Sequence, residues 1–256
     1  MLQYDAVNII SEVIIKDGLI DCCFLKGSLA FGLEDEHSTI DLYCIVPEHN
    51  KQAFLNKRLN YLESYKPLMH YFHLYSQSHL VSYFDNGVQV NLHSITYDEI
   101  DRSGKLLIIY DPKKIMNDMQ VNDLQFENDD VGFIVNEFTM NLLNIYKYFK
   151  RKDQLSAYFY AQKLLMSFSM MYRFYYEPER AKLGFKDYNP NEKEEEYKKL
   201  ISLIKMIKID NVLIGVKTIT VAMQDLIVNL PITIASYVNF DFFLFGKNQI
   251  FSINEE

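Results

Sequence analysis

Residues 27–46 read GSLAFGLEDEHSTIDLYCIV, and the rest of the chain is arranged around them. The apolar run Cys22–Leu25 just before this stretch predicts a buried strand. Gly27 and Ser28 break that run, and a second apolar run, Ile40–Val46, follows a polar interval. Strand side chains alternate between faces. Thr39, Asp41 and Tyr43 are therefore expected on one side, with Ile40, Leu42 and Cys44 on the other. A carboxylate at the start of an apolar strand is costly to bury alone, so Asp41 marks a site.

This stretch resembles the signature of the nucleotidyltransferase superfamily, in which Gly-Ser is followed by a short helix and then Ser-Asp-Ile-Asp-Leu. The layout is most similar to the small-molecule antibiotic nucleotidyltransferases, the lincosamide and aminoglycoside adenylyltransferases. Gly27, Ser28, Gly32, Ser38, Ile40, Asp41 and Leu42 carry the match. The resemblance implies that Gly27, Ser28 and Ser38 hold the phosphates of a nucleotide, ATP, and that acids on the strand bind Mg2+. It implies transfer of AMP from ATP to a hydroxyl of a small antibiotic-like acceptor, and it admits a homodimer. In the same family a glutamate of a helical domain serves as general base. Asn136-Glu137-Phe138 resembles such a segment, which makes Glu137 the catalytic candidate beside Asp41.

The chain departs from that signature at two of three carboxylates. Thr39 stands where the first acid is expected. Asn91, in the strand-like run GVQVNLHSI, stands where a later strand shows Val-Asp-Leu. The metal set read from the sequence is therefore Thr39, Asp41 and Asn91. Magnesium favours hard, charged oxygen ligands, and the formal charge of this set falls from three negative to one. Each missing charge about 4 Å from a divalent ion forfeits on the order of several kcal/mol at an effective dielectric near 20, before solvation offsets it. Hence a second reading: a degenerate nucleotidyltransferase-fold protein that acts as a nucleotide- or small-ligand-binding or protein-interaction module. Glu34, Asp35 and Glu36 either make up the missing charge or form an exposed turn. Ser28 either holds phosphate or caps a helix. Lys26 either reaches phosphate or lies on the sheet.

Composition narrows the partners. The net charge is -8 with no Lys/Arg cluster, which disfavours nucleic acid and suits a small cationic acceptor. Cys22, Cys23 and Cys44 fall in expected strands and read as reduced core thiols, which points to the cytoplasm. Met1–Lys16 is amphipathic and acid-bearing, so no signal peptide is expected there. Val212–Leu230 is apolar but interrupted by Lys217, Gln224 and Asp225, so no membrane span is expected. His70 and His73, three apart on a strand, would face opposite ways, which argues against a transition-metal cluster.

The expected fold is α+β. A nucleotidyltransferase-type α/β domain with a mixed sheet covers 1–118, and a helical bundle covers 119–256. Helices are expected at 3–17, 48–65 (Phe54, Leu55, Leu59 and Leu62 inward) and near 97–102. Strands are expected at 69–76, 79–84, 87–95 and 106–110, with Asp85-Asn86-Gly87 turning a hairpin. Beyond 128 the period is helical, in segments 128–149, 153–176, 192–209 and one starting at Val212 and ended by Pro231. The aromatic tail, 237–245, has no assignment.

Overall fold

The computed structural model describes residues 1–101, 103–117, 124–186, 188 and 194–253. It is α+β and divides into two compact units, Met1–Asp123 and Leu124–Glu256. The expected boundary at 118/119 falls outside the described residues, as do Arg102 of the expected short helix and residues 192–193 of the expected third bundle helix.

The first unit runs α1 (Leu2–Asp17), β1 (Cys22–Lys26), α2 (Ser28–Phe31), β2 (Ile40–Ile45), α3 (Glu48–Glu63), β3 (Leu68–His73), β4 (His79–Phe84), β5 (Gln89–Ile95) and β6 (Leu107–Tyr110). The six strands form one sheet in the order β3-β4-β5-β2-β1-β6. Only β2 and β5 pair in parallel, so the sheet is mixed. Parallel neighbours need a crossover, and the chain between β2 and β5 supplies α3 and the β3–β4 hairpin. The β4–β5 turn is the loop Asp85-Asn86-Gly87. Gly87 alone takes positive φ, 82°, while Phe84 and Val88 close the ladder.

Period-2 alternation gives the sheet two unlike faces. Leu25, Leu42, Val90, Leu92, Leu80 and Phe84 join Val7, Ile10 and Ile14 of α1 and Phe54 and Leu62 of α3 in one core. On α3 the inward stripe differs from the expected one. Leu55 and Leu59 are half-buried, while Arg58 and Tyr61 are buried. The Arg58 stem lies along the core and its guanidinium donates to the Gln77 carbonyl, so a charged residue can occupy an inward position. Tyr61 likewise ends on Asp17, donating at 2.5 Å. The expected strand 69–76 ends at His73, and the expected helix at 97–102 is a 3-10 turn, Tyr97–Glu99.

The second unit is helical: α4 (Asn128–Lys150), α5 (Gln154–Tyr176), α6 (Glu194–Ile204), α7 (Val212–Val228), α8 (Ile232–Ala235) and α9 (Phe240–Phe251). The α4 cap is Glu127, which forms a capping box with Asp130, one residue before the expected start. Asp153 caps α5 by accepting from Ser156 N–H at 3.0 Å. Phe138, Leu142, Phe168, Val216, Met223 and Phe243 build the core. The unassigned tail becomes α9, capped by Asn239. It lies so close to α4 that a Cβ on Gly246 would sit 2.7 Å from the Thr139 methyl. Arg173 is fully buried and holds the loop after α5, donating to Glu177 at 2.5 Å and to the Gly184 carbonyl at 3.0 Å.

By length and mean hydropathy, 1.4, the segment Ile209–Val228 is apolar enough to cross a membrane. Here Val212, Val216, Ile219, Met223 and Ile227 lie in the core of the unit. Two of the three interrupting polar side chains are partnered. Lys217 donates to the Ile253 carbonyl at 2.9 Å, and Gln224 accepts from Lys247.

Candidate functional site

The second face of the sheet carries Asp41 and Asn91 of the expected residues. Register sets Lys26 of β1 opposite Asp41 of β2, Asp41 beside Asn91 of β5, and Asn91 opposite Val81 of β4. These side chains point the same way because each occupies the same parity of its strand.

Asp41 and Asn91 are joined. Asn91 Nδ2 donates to Asp41 Oδ1 at 2.8 Å, and Gln89 Nε2 donates to Asn91 Oδ1 at 3.1 Å. Beside a carboxylate an amide must offer its NH2 rather than its oxygen, so this orientation follows from chemistry. The amide thus spends its donor on Asp41 and its acceptor on Gln89.

Gly27 closes round the other carboxylate oxygen. Its φ is 70° and ψ -154°, a region L side chains avoid, and an added Cβ would sit 2.8 Å from Asp41 Oδ2. Glycine is required here for both backbone and space. Gly27, not Ser28, is the N-cap of α2. Ser28 is its first helical residue, and the Gly27 carbonyl accepts from Ala30 N–H at 3.0 Å. Of the nucleotide-binding candidates, Gly27 therefore lies directly against Asp41, and Ser28 follows it as the first residue of α2.

Ser38 is engaged locally. Its hydroxyl donates to Asp35 Oδ1 at 3.0 Å and accepts from Asp35 N–H at 2.9 Å, closing the loop ahead of β2. Asp35 also accepts from His37 N–H, and these bonds lower its pKa. Glu34 accepts from Tyr4 of α1, and the Glu36 carbonyl accepts from Gln3. The acidic loop is thus tied to α1 and to itself. Thr39 is half-buried and precedes β2, whose first residue is Ile40.

Lys26 lies nearly buried and pairs with Asp101, at 2.7 Å to its carboxylate and 3.0 Å to its carbonyl. Burial raises the Asp101 pKa, but Lys26 and the two Ser103 bonds outweigh it and the net shift is down. Lys26 is therefore a paired sheet cation.

One row further along, four rings line up across four strands, Phe24, Tyr43, His93 and His79, with centroid separations of 5.2, 4.0 and 3.9 Å; the first two pairs are stacked and the last is tilted by 32°. Burial, then His79 and Lys26, push His93 down to about 3, so this imidazole is neutral. Burial also lowers His79, and its buried Nε2 has no hydrogen-bond partner. Burial, Asp41 and Asp101 push the Tyr43 phenol up to about 12. Beyond the rings the face turns apolar, with Cys22, Ile45, Ile95, Ile100 and Met116. Sequence reading missed this ladder. Its signal was present, one aromatic or imidazole ring contributed by each of the four strands, but only the strand order aligns them.

Glu137 lies on α4 of the second unit, half-buried, and accepts from Ser167 Oγ of α5 at 3.2 Å. A cavity of about 800 Å3 in that unit, lined by Phe149, Lys150, Lys152 and Asn211 among others, holds none of the expected residues.

The donor set does not fit the magnesium site that the resemblance implies. Asp41 brings one carboxylate, Asn91 presents an NH2 to it, and Thr39 brings a neutral hydroxyl. Among the described residues no group of three His, Cys, Asp or Glu side chains could hold a metal ion.

No family model and no curated protein matches the chain. Among solved structures it is similar to the crystal structure of an aminoglycoside 6-adenyltransferase from Bacillus subtilis, at 14% sequence identity and a TM-score of 0.38, over 99% of this chain and 99% of that one.

Proposed function

We propose that the chain is a nucleotidyltransferase-fold protein that binds a nucleotide or another small ligand on the Asp41 face without metal-dependent transfer. The observation that carries this reading is the 2.8 Å bond from the Asn91 amide to Asp41, backed by Gln89. An amide donor stands where the resemblance expects another metal-binding acid, and it occupies one oxygen of the remaining carboxylate. The Gly27–Ser28 turn beside it keeps the motif that the resemblance assigns to phosphates. Three buried free thiols fit a reducing, cytoplasmic setting. Titration calorimetry with ATP, with and without Mg2+, tests the proposal. The expected result is weak binding that a chelator does not change. Tight, chelator-sensitive binding would overturn it.

The match of Ser38, Ile40, Asp41 and Leu42 to the signature favours a second reading, AMP transfer to a hydroxyl of an antibiotic-like acceptor. In that reading Glu137 is the general base, Asp41 the surviving metal ligand, and ATP with Mg2+ the co-substrate. Incubation with ATP, Mg2+ and a panel of aminoglycosides and lincosamides, read by mass spectrometry, separates the two. An AMP adduct on any acceptor establishes the second reading and removes the first.

A further inference from the structure

Among the described residues the sheet ends at β3, whose backbone pairs with β4 alone. An edge strand offers a row of unpaired N–H and C=O groups, and natural proteins blunt such edges with charge, proline, brevity or a bulge. The opposite edge, β6, has four residues, and a register shift interrupts its pairing with β1. β3 reads LMHYFH and carries no Lys, Arg, Asp, Glu or Pro; its one irregularity lies at its start, between Leu68 and His70.

Nor is β3 covered on its faces. Met69 is 68% exposed, Tyr71 44% and Phe72 39%, and all of Met69–His73 is exposed. Phe72 and His70 lie on the face of Val81 and Tyr83, and Tyr71 lies on the face of Ser82. Apolar rings therefore stand out on both sides of an open strand, where a solvated edge would alternate with polar residues.

We propose that β3 pairs antiparallel with β3 of a second copy of this chain, making one continuous sheet across a two-fold axis. The row of backbone groups calls for an extended strand as partner. An uncharged junction permits, and closure selects, the same strand in another copy. The chain carries -8 overall, so two copies repel, yet Leu68–His73 places no carboxylate at the junction. Pairing β3 with β6 of another copy would be head-to-tail and open-ended, whereas β3 with β3 is isologous and closes at two. An axis normal to the sheet through Tyr71, the middle of the exposed run, sets Tyr71 opposite Tyr71, His70 opposite Phe72 and Met69 opposite His73. These aromatic cross-strand pairs are of the kind that stabilise sheets.

Sedimentation equilibrium of the full chain tests this. The expected result is a concentration-dependent species of twice the 30.2 kDa chain mass. Tyr71→Lys should weaken it at least tenfold, and Ile108→Lys on β6 should leave it unchanged. Where Tyr71→Lys fails to fold, Tyr71→Cys decides: mild oxidation should give a disulfide-linked dimer, since Cys22, Cys23 and Cys44 are buried. A wild-type chain that stays monomeric overturns the proposal, even if β3 captures a foreign strand. So does a dimer that Tyr71→Lys leaves intact, or a folded Tyr71→Cys variant that does not cross-link.

Discussion

The two faces of the six-stranded sheet are made by the same strands and obey different rules. On the helix-covered face nearly every position is apolar, and Leu25, Leu42, Leu80, Val90 and Leu92 form one core with α1 and α3. On the opposite face the residues change row by row. Gln89, Asn91, Asp41 and Lys26 give way to His79, His93, Tyr43 and Phe24, and then to Ile95, Ile45 and Cys22. The first face is held by area. The second is held largely by pairing: Asp41, Asn91, Gln89 and Lys26 each have a polar partner, while the buried His79 Nε2 has none. Asp41 and Asn91 of the candidate residues lie on the second face, where a lost partner matters more than a lost methylene.

That contrast can be broken most strongly from the apolar side. Leu92→Ala removes a fully buried side chain in the middle of the sheet and should destabilise the first unit by about 2–5 kcal/mol, read by urea unfolding. A loss below about 1 kcal/mol would mean that the face collapses round the cavity, against the close packing assigned to it.

Acid should act from the other side. His93 is held neutral, with its folded pKa pushed down to about 3 from the usual value of 6.5, and His79 is also lowered. The unfolded chain therefore binds more protons below pH 6.5. Stability is fully present above about 6.5 and falls as the pH drops towards about 3, by on the order of 2–3 kcal/mol near pH 4. Carboxylates with lowered pKa, such as Asp17 and Glu99, add their own loss further down. His93→Phe keeps the ring ladder and should remove most of the slope between about pH 6.5 and 5, measured by melting across pH. An unchanged slope would show that the ladder imidazole is not the titrating group.

Gly27→Ala probes the turn at the head of the second face. Positive φ and the Asp41 oxygen both oppose a Cβ, so a cost of about 1–3 kcal/mol is expected, with Gly32→Ala as a φ-only comparison. Equal effects at the two positions would mean that contact with Asp41 contributes nothing. Ser38→Ala should have the smallest effect, about 0.5 kcal/mol, because it removes only exposed loop bonds. A large loss of ATP binding in this variant would instead give Ser38 the ligand role that the resemblance implies.

Much of the first face was legible in the sequence, because period-2 alternation of Leu, Val and Ile carries its own evidence. The α+β class and the sheet–bundle division followed from the change of period near residue 128. Local chemistry gave the Asp85-Asn86-Gly87 turn. Non-local pairing hid the rest. Arg58 and Tyr61 face inward because the Gln77 carbonyl and Asp17 wait for their polar ends. Lys26 is decided by Asp101, 75 positions away. Asp41 and Asn91, 50 apart, were aligned in advance by alternation and the family resemblance, but the direction of the amide and its tie to Gln89 were not. The aromatic tail gave no period clear enough to read as α9, since its exposed face carries Phe240, Leu244, Phe245 and Phe251.

The central claim is that an amide satisfies Asp41 where a metal cage would need acids. Thermal melting of wild type and of Thr39→Asp/Asn91→Asp, each with and without Mg2+, tests it most directly. The wild type should show no magnesium shift. The double variant should melt lower without the ion, because close carboxylates repel, and should gain at least about 1 kcal/mol from Mg2+, since binding to the folded state alone stabilises it. A wild type stabilised by Mg2+ as much as the double variant, or a double variant indifferent to Mg2+, would contradict the account.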